Sequence, residues 1–317
     1  MDYLVEYDKS DPISIEMYSQ RMIGKTFREI CEEDDARGAS VLREEGTSYG
    51  TDEVAETKRN KGNLGQIIEE RFFHYACNSD ARADFYEAGV ELKVTPYRIN
   101  QNGSLSAKER LILTMIDYYQ VVNESFEESH FWNKSKLILL VYYLYMKEIK
   151  FNLDYKIGYS RLFTPPEQDV KIIRNDYELI VAKIKAGRAH ELSESDTLYL
   201  GAAPKAATSQ DRRKQPYSEV PAKPRAFAFK NSYMTYVLNN YIVPGKVTYE
   251  PIMQSDVADS FEDYVVEKID RYCGRSVNDL CIEFCIEIDK KPKNLEAMLA
   301  YRTVSYTHLT LPTILLV

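Results

Sequence analysis

A chain of 317 residues with 44% hydrophobic side chains can bury a substantial core and hold one large domain or two smaller ones. The longest apolar run, residues 137–146, is too short for a membrane span, and the first residues lack the basic-then-apolar order of a secretion signal. The formal charge of −8 excludes a uniformly basic protein, and five cysteines in no paired framework (Cys31, Cys77, Cys273, Cys281, Cys285) point to a reducing cytoplasm.

The first predicted element is a helix over residues 15–33, followed by a polar, acidic connector with little periodicity. A second helix is expected over residues 63–77, with Leu64, Ile67, Ile68, Phe72 and Tyr75 on one side. Strand signals follow over 87–96 and 109–118, separated by Asn102-Gly103, a turn cue that predicts a hairpin. The apolar and aromatic run 137–146 fits a buried strand, and 155–163 a further strand ended by Pro165-Pro166. Residues 169–185 read as an amphipathic helix (Val170, Ile173, Tyr177, Ile180, Ile184) stopped near Gly187. A helix over 231–241 closes the first domain at Pro244-Gly245, and 255–302 is helix-rich.

Charge is unevenly spread. Residues 1–56 carry fifteen acidic against six basic side chains, more than the whole imbalance. Residues 201–230 carry seven basic against two acidic, a local excess of the kind that neutralises phosphates. Nucleic acid therefore remains open as a partner. His190-Glu191 lacks a second histidine at the zincin spacing, and no Gly-rich phosphate loop is present. Cys281 and Cys285, one helical turn apart, read as buried helix cysteines rather than zinc ligands.

The stretch richest in chemistry is Ala83-Asp84-Phe85-Tyr86-Glu87-Ala88-Gly89-Val90-Glu91-Leu92-Lys93. Strand periodicity puts Glu91 and Lys93 on one face and Leu92 on the other. Two carboxylates and an ammonium so placed can hold a divalent metal against a phosphate. On an exposed amphipathic strand, the same Glu-x-Lys would be only a solvated pair.

With the Thr95-Pro96 that follows, this stretch resembles the active-site hairpin of the MutH family of PD-(D/E)xK nucleases. Upstream, Lys61-Gly62-Asn63-Leu64-Gly65-Gln66-Ile67-Ile68-Glu69 resembles the family helix that begins at Lys-Gly and delivers a Glu to the site. Downstream, Tyr199-Leu200-Gly201-Ala202-Ala203-Pro204-Lys205-Ala206-Ala207 resembles its DNA-reading loop, and Pro224-Arg225-Ala226-Phe227-Ala228-Phe229-Lys230 the segment after it. The resemblance implies an α/β nuclease core with a mixed central sheet flanked by helices. Its catalytic residues would be Glu69, Asp84, Glu91 and Lys93, with Mg²⁺ held by Asp84 and Glu91. DNA contacts would come from Lys61, Lys134, Lys205, Arg225 and Lys230, with Lys205 reading a base. Ala203 and Ala228 stand where the repair enzyme has an Arg and a Tyr, so those contacts do not carry over.

The resemblance implies cleavage of double-stranded DNA at GATC. Ala189-His190-Glu191-Leu192-Ser193-Glu194, Gln215-Pro216-Tyr217-Ser218 and the continuation past Gly245 resemble the family's two-domain restriction branch. That branch implies a cognate DNA methyltransferase as a functional companion and no membrane partner. The mismatch-repair nickase and an inert GATC-binding fragment are the alternatives. The expected organisation is an acidic helical arm (1–56), a catalytic and DNA-reading domain (57–245), the start of a truncated second domain (246–302) and a non-native tail (303–317). That tail, charge-free from Ser305 onward, resembles translated sequencing-adapter read-through.

Overall fold

The computed structural model describes residues 7–45, 63–75, 82–206 and 208–249. The expected arrangements of 250–302 and 303–317, the 46–62 connector, Lys61 and the cysteines other than Cys31 lie outside the described residues. The rest forms a mixed α/β fold, as the sequence implied.

A four-stranded sheet runs in the order β2-β1-β4-β5, with β1 Glu91–Ile99, β2 Leu105–Ala107, β4 Ile138–Leu144 and β5 Lys156–Phe163. β1 and β4 are parallel, and the outer pairs are antiparallel. A second sheet, β3-β9-β6, joins β3 Leu111–Met115, β9 Arg225–Phe229 and β6 Leu200–Pro204, all antiparallel. A separate hairpin pairs β7 Arg213–Gln215 with β8 Ser218–Ala222.

Strand β4 separates two hydrophobic cores. Ile138, Leu140 and Tyr142 face one, with Ile173, Tyr177 and Ile180 of α5 Glu167–Lys185 and Met234 of α6 Asn231–Val237. Leu139, Val141 and Tyr143 face the other, with Ile15, Met22 and Phe27 from the N-terminal segment and Ile68 and Phe72. Side chains alternate at period two, so a strand buried on both faces reads as an unbroken apolar run.

Several of the expected elements are corrected. The helix over 15–33 is two, α1 Pro12–Ser19 and α2 Phe27–Glu45, with a 3₁₀ turn Gln20–Met22 after the first. Gly24, at φ 87°, breaks it so that the chain can bond to β5, Gly24 N–H donating to Ile157 O at 2.8 Å and Ile157 N–H to Lys25 O at 2.8 Å. Ile15, Tyr18, Met22, Phe27 and Ile30 of this segment pack into the same core as β4.

The Asn102-Gly103 turn is present, but it joins β1 to β2, and β3 crosses to the other sheet. Strand β1 has β4 on its other side, so no edge remains for β3. The strand expected from residue 87 starts at Glu91, because residues 85–90 form a tight turn closed by Phe85 and Val90.

The helix over 63–77 is a short α3 Asn63–Ile67 that widens into a π-helical turn, Ile68–Phe72, and ends before His74 at φ 51°. The helix over 231–241 likewise passes from α6 into a π-helical turn, Leu238–Ile242.

Candidate active site

The site forms where the turn before β1 meets its first residues. Phe85 and Val90 exchange backbone hydrogen bonds at 2.9 and 3.1 Å, with Gly89 at φ 66° allowing the reversal. The turn folds Asp84 back on the strand, where its Oδ2 accepts from Leu92 N–H at 2.8 Å. Leu92 points into the N-terminal core, which turns Glu91 and Lys93 to the opposite face.

Glu91 is only 2% exposed, an unusual place for a carboxylate. Lys93 Nζ donates to its Oε1 at 2.5 Å. Lys134 Nζ lies 3.3 Å from Oε2. Lys134 comes from α4 His130–Ser135, capped by the Ser129 hydroxyl, which accepts from Trp132 N–H at 3.1 Å. The parallel register, Glu91 against Ile138, brings the end of that helix beside Glu91. Sequence reading gave Lys134 a DNA contact; its pairing with Glu91 depends on a tertiary register that no local pattern carries.

Glu91 Oε2 is buried and accepts no well-aligned hydrogen bond, its partner being the Lys134 ammonium in the 3.3 Å ion pair. A buried carboxylate oxygen held only by an ion pair keeps lone-pair capacity for a further cation, and carboxylate oxygens suit a hard ion such as Mg²⁺. Asp84 and Glu91 thus fit as a two-carboxylate set. Glu69, on the π-helical turn, is half-buried between buried Ile68 and exposed Glu70, whose carboxylate accepts from Gln66 at 2.9 Å. Among the described residues, no three His, Cys, Asp or Glu side chains group as a metal cage, so Glu69 does not complete a three-acid cluster here.

The downstream candidates separate sharply. Lys205 is exposed at the end of β6, its N–H bonded to Pro224 O at 2.9 Å. That strand is fixed by Asp176 of α5, whose carboxylate accepts from Leu198, Tyr199 and Leu200 N–H at 2.9, 2.6 and 2.9 Å.

Arg225 does not face outward. It is 8% exposed, with its guanidinium donating to Ala202 O at 2.5 Å and to Leu192 O. It ties β9 to β6 and to the 189–192 turn, and its sequence neighbourhood hid that burial. Lys230 is half-buried and donates to Thr197 O, its stem lying over Gly201. Burial pushes its pKa down, with Asp176 and Asp196 acting in the other direction. Both cations donate to internal carbonyls in this structure.

Sequence reading also missed β6 through β9. Each residue of β9 is buried, and its Ala-Phe-Ala-Phe alternation was the available signal.

The mixed sheet, the flanking helices and the carboxylate–lysine pair at the start of β1 define a PD-(D/E)xK nuclease fold. Residues 73–176 match the family model of the DNA mismatch repair enzyme MutH, so the chain carries a MutH-family domain. Over 265 residues, 82% of its length, it is 37% identical to the type II restriction enzyme Sau3AI of Staphylococcus aureus. It covers 52% of that enzyme, about half. It is also 26% identical over 186 residues to the DNA mismatch repair protein MutH of Shewanella woodyi, covering 59% of this chain and 78% of that one. The MutH of Vibrio parahaemolyticus is 28% identical over 192 residues, covering 59% of this chain and 81% of that one. Among the described residues, no helix is long and apolar enough to cross a membrane.

Proposed function

We propose that the protein is a Mg²⁺-dependent type II restriction endonuclease that hydrolyses double-stranded DNA at GATC. It would act in the cytoplasm, beside a methyltransferase that protects the host sites. The observation that carries the reading is the buried Glu91 carboxylate, gripped by Lys93 and Lys134 beside Asp84. A solvated surface pair would not be 2% exposed.

In this reading, Asp84 and Glu91 hold the metal, which when bound supplies Lewis-acid polarisation of the phosphate and a more acidic water. The protein's own groups do the rest. The Leu92 N–H fixes one oxygen of Asp84, so that carboxylate needs no reorganisation when it binds. Lys93 Nζ, anchored on Glu91 Oε1, orients the attacking water and offsets the negative charge that builds on the phosphoryl oxygens. Lys134 Nζ offers a second ammonium to the scissile phosphate. At the far end of β6, Lys205 presents a donor to guanine O6 and N7 in the major groove. Glu69 serves as an outer acid, and Lys61 as a phosphate contact.

The 37% identity to a restriction enzyme over most of the chain favours restriction. The match to the MutH family model supports a strand-nicking repair enzyme as the second reading. The test is cleavage of a plasmid bearing unmethylated GATC sites with Mg²⁺, beside Glu91→Ala and Lys93→Ala. Double-strand cuts at GATC by wild type alone are expected. Nicks that need a repair partner would favour the second reading, and GATC binding without cleavage would make this chain a reader that does not cut.

A further inference from the structure

The hairpin of β7 and β8 lies outside the site just described and carries most of the exposed positive charge between residues 201 and 230. Arg213, Lys214 and Lys223 are all exposed, and none forms an ion pair among the described residues. Tyr217 at the tip is 73% exposed. Its backbone sits at φ 62°, a left-handed conformation that L side chains adopt at a cost. A large aromatic held in that conformation with most of its ring in water gains little from the fold around it.

The hairpin is nonetheless built to be rigid. Gln215 is 3% exposed, with its Oε1 accepting from Ala189 N–H at 2.7 Å and its Nε2 donating to Val220 O at 2.5 Å. The Tyr118 and Tyr119 hydroxyls donate to Lys223 O at 2.5 Å and Gln215 O at 3.2 Å. Gly187 lets the Tyr217 carbonyl approach so closely that a Cβ there would lie 2.5 Å from its oxygen.

The base of the hairpin is also placed. Pro204 pairs with Arg225 at the end of the β6–β9 ladder, and Lys205 N–H bonds to Pro224 O, so the chain leaves for the separate β7–β8 hairpin, and returns from it, beside Lys205. Unpaired cations on a braced hairpin whose base lies beside Lys205 match a regularly charged polyanion better than an acidic protein patch.

We propose that this hairpin is a second, sequence-independent DNA contact. Arg213, Lys214 and Lys223 would track backbone phosphates, with Tyr217 against the sugar-phosphate edge. The inference rests on the DNA-cleaving function proposed above. It assigns separate roles to Lys205, which discriminates, and to the hairpin, which holds.

The test measures binding of the full chain, without Mg²⁺, to a fluorescent GATC duplex and to a duplex lacking GATC, across a salt series. Arg213→Ala/Lys214→Ala is compared with wild type, and Arg213→Glu/Lys214→Glu serves as a stronger variant. Both duplexes should lose affinity by the same factor, and the salt slope should fall by roughly two units. The charge reversal should weaken binding further, with the preference for GATC unchanged. Unchanged affinity and slope in both variants would overturn the hairpin's role alone. A loss confined to the GATC duplex would also overturn it, since the hairpin would then read bases. A wild type without GATC preference whose slope still falls in the variant would retain the hairpin contact and sink the site-specific function. A wild type that binds neither duplex would overturn both.

Discussion

Glu91→Gln removes the charge on which Lys93 and Lys134 converge while keeping the side chain's shape. At an effective dielectric of about 20, the attraction is roughly 7 kcal/mol at the 2.5 Å contact and roughly 5 at 3.3 Å. Desolvation of a carboxylate 2% exposed offsets most of this. The lysine side chains keep 20% and 15% exposure, so both can swing toward water once the charge is gone. A net destabilisation of about 2 kcal/mol follows, below the roughly 3–5 kcal/mol of a fully buried broken pair. For a domain of this size, that lowers the melting temperature by roughly 4–8 °C. The assay is a thermal melt with and without Mg²⁺, followed by plasmid cleavage. Wild type should be stabilised by Mg²⁺ and the variant should not. Cleavage should fall by about a hundredfold or more, corresponding to about 3 kcal/mol of lost stabilisation. A variant that melts with wild type, keeps the Mg²⁺ response and cleaves at a comparable rate would refute the assignment of Glu91.

Four further outcomes are expected. Arg225→Ala should lose about 2–4 kcal/mol in urea unfolding, because two buried carbonyls lose their donor and a cavity opens. Lys205→Ala should leave the unfolding midpoint unchanged and cost about 1–3 kcal/mol of GATC discrimination in competition binding; equal stability losses in the two variants would contradict this division. Gly187→Ala, at φ 70° with the Tyr217 carbonyl 2.5 Å from the new Cβ, should destabilise by about 2 kcal/mol or more, read by chemical denaturation. Burial raises the Asp169 pKa, partly offset by the Tyr233 hydroxyl that donates to it at 3.1 Å. A folded-state value above the unfolded one gives stability that is full in acid and lost as pH rises through the raised value. Asp169→Asn removes that titration, so its stability relative to wild type should improve between pH 4 and pH 7; a flat difference across that range would count against it.

What the sequence disclosed depended on how locally each feature is encoded. The run through β4 declared itself because a strand buried on both faces needs apolar residues at every position. Glu91 and Lys93 were legible because strand periodicity alone puts them together. The hidden parts depend on distant partners. Gly24 breaks a helix-like pattern only because β5 offers backbone groups to the chain there. β6 and β9 are short and rich in alanine, so each looks like loop until the other is beside it. Arg225 and Lys205 are equally basic on paper, and only packing decides that one is an internal tie and the other an exposed tip.

The register of the second sheet also sets an order of assembly. Leu111 in β3 pairs with Phe229 in β9, more than a hundred residues further along the chain. β1, β4 and β5 complete their pairing by Phe163. Closing long loops costs more entropy and takes longer, so the frame around Glu91 can form before the ladder that carries Lys205 exists. During synthesis, β3 waits as an open strand edge until Phe227 and Phe229 arrive, and that interval is when the growing chain is most exposed to pairing with the wrong neighbour.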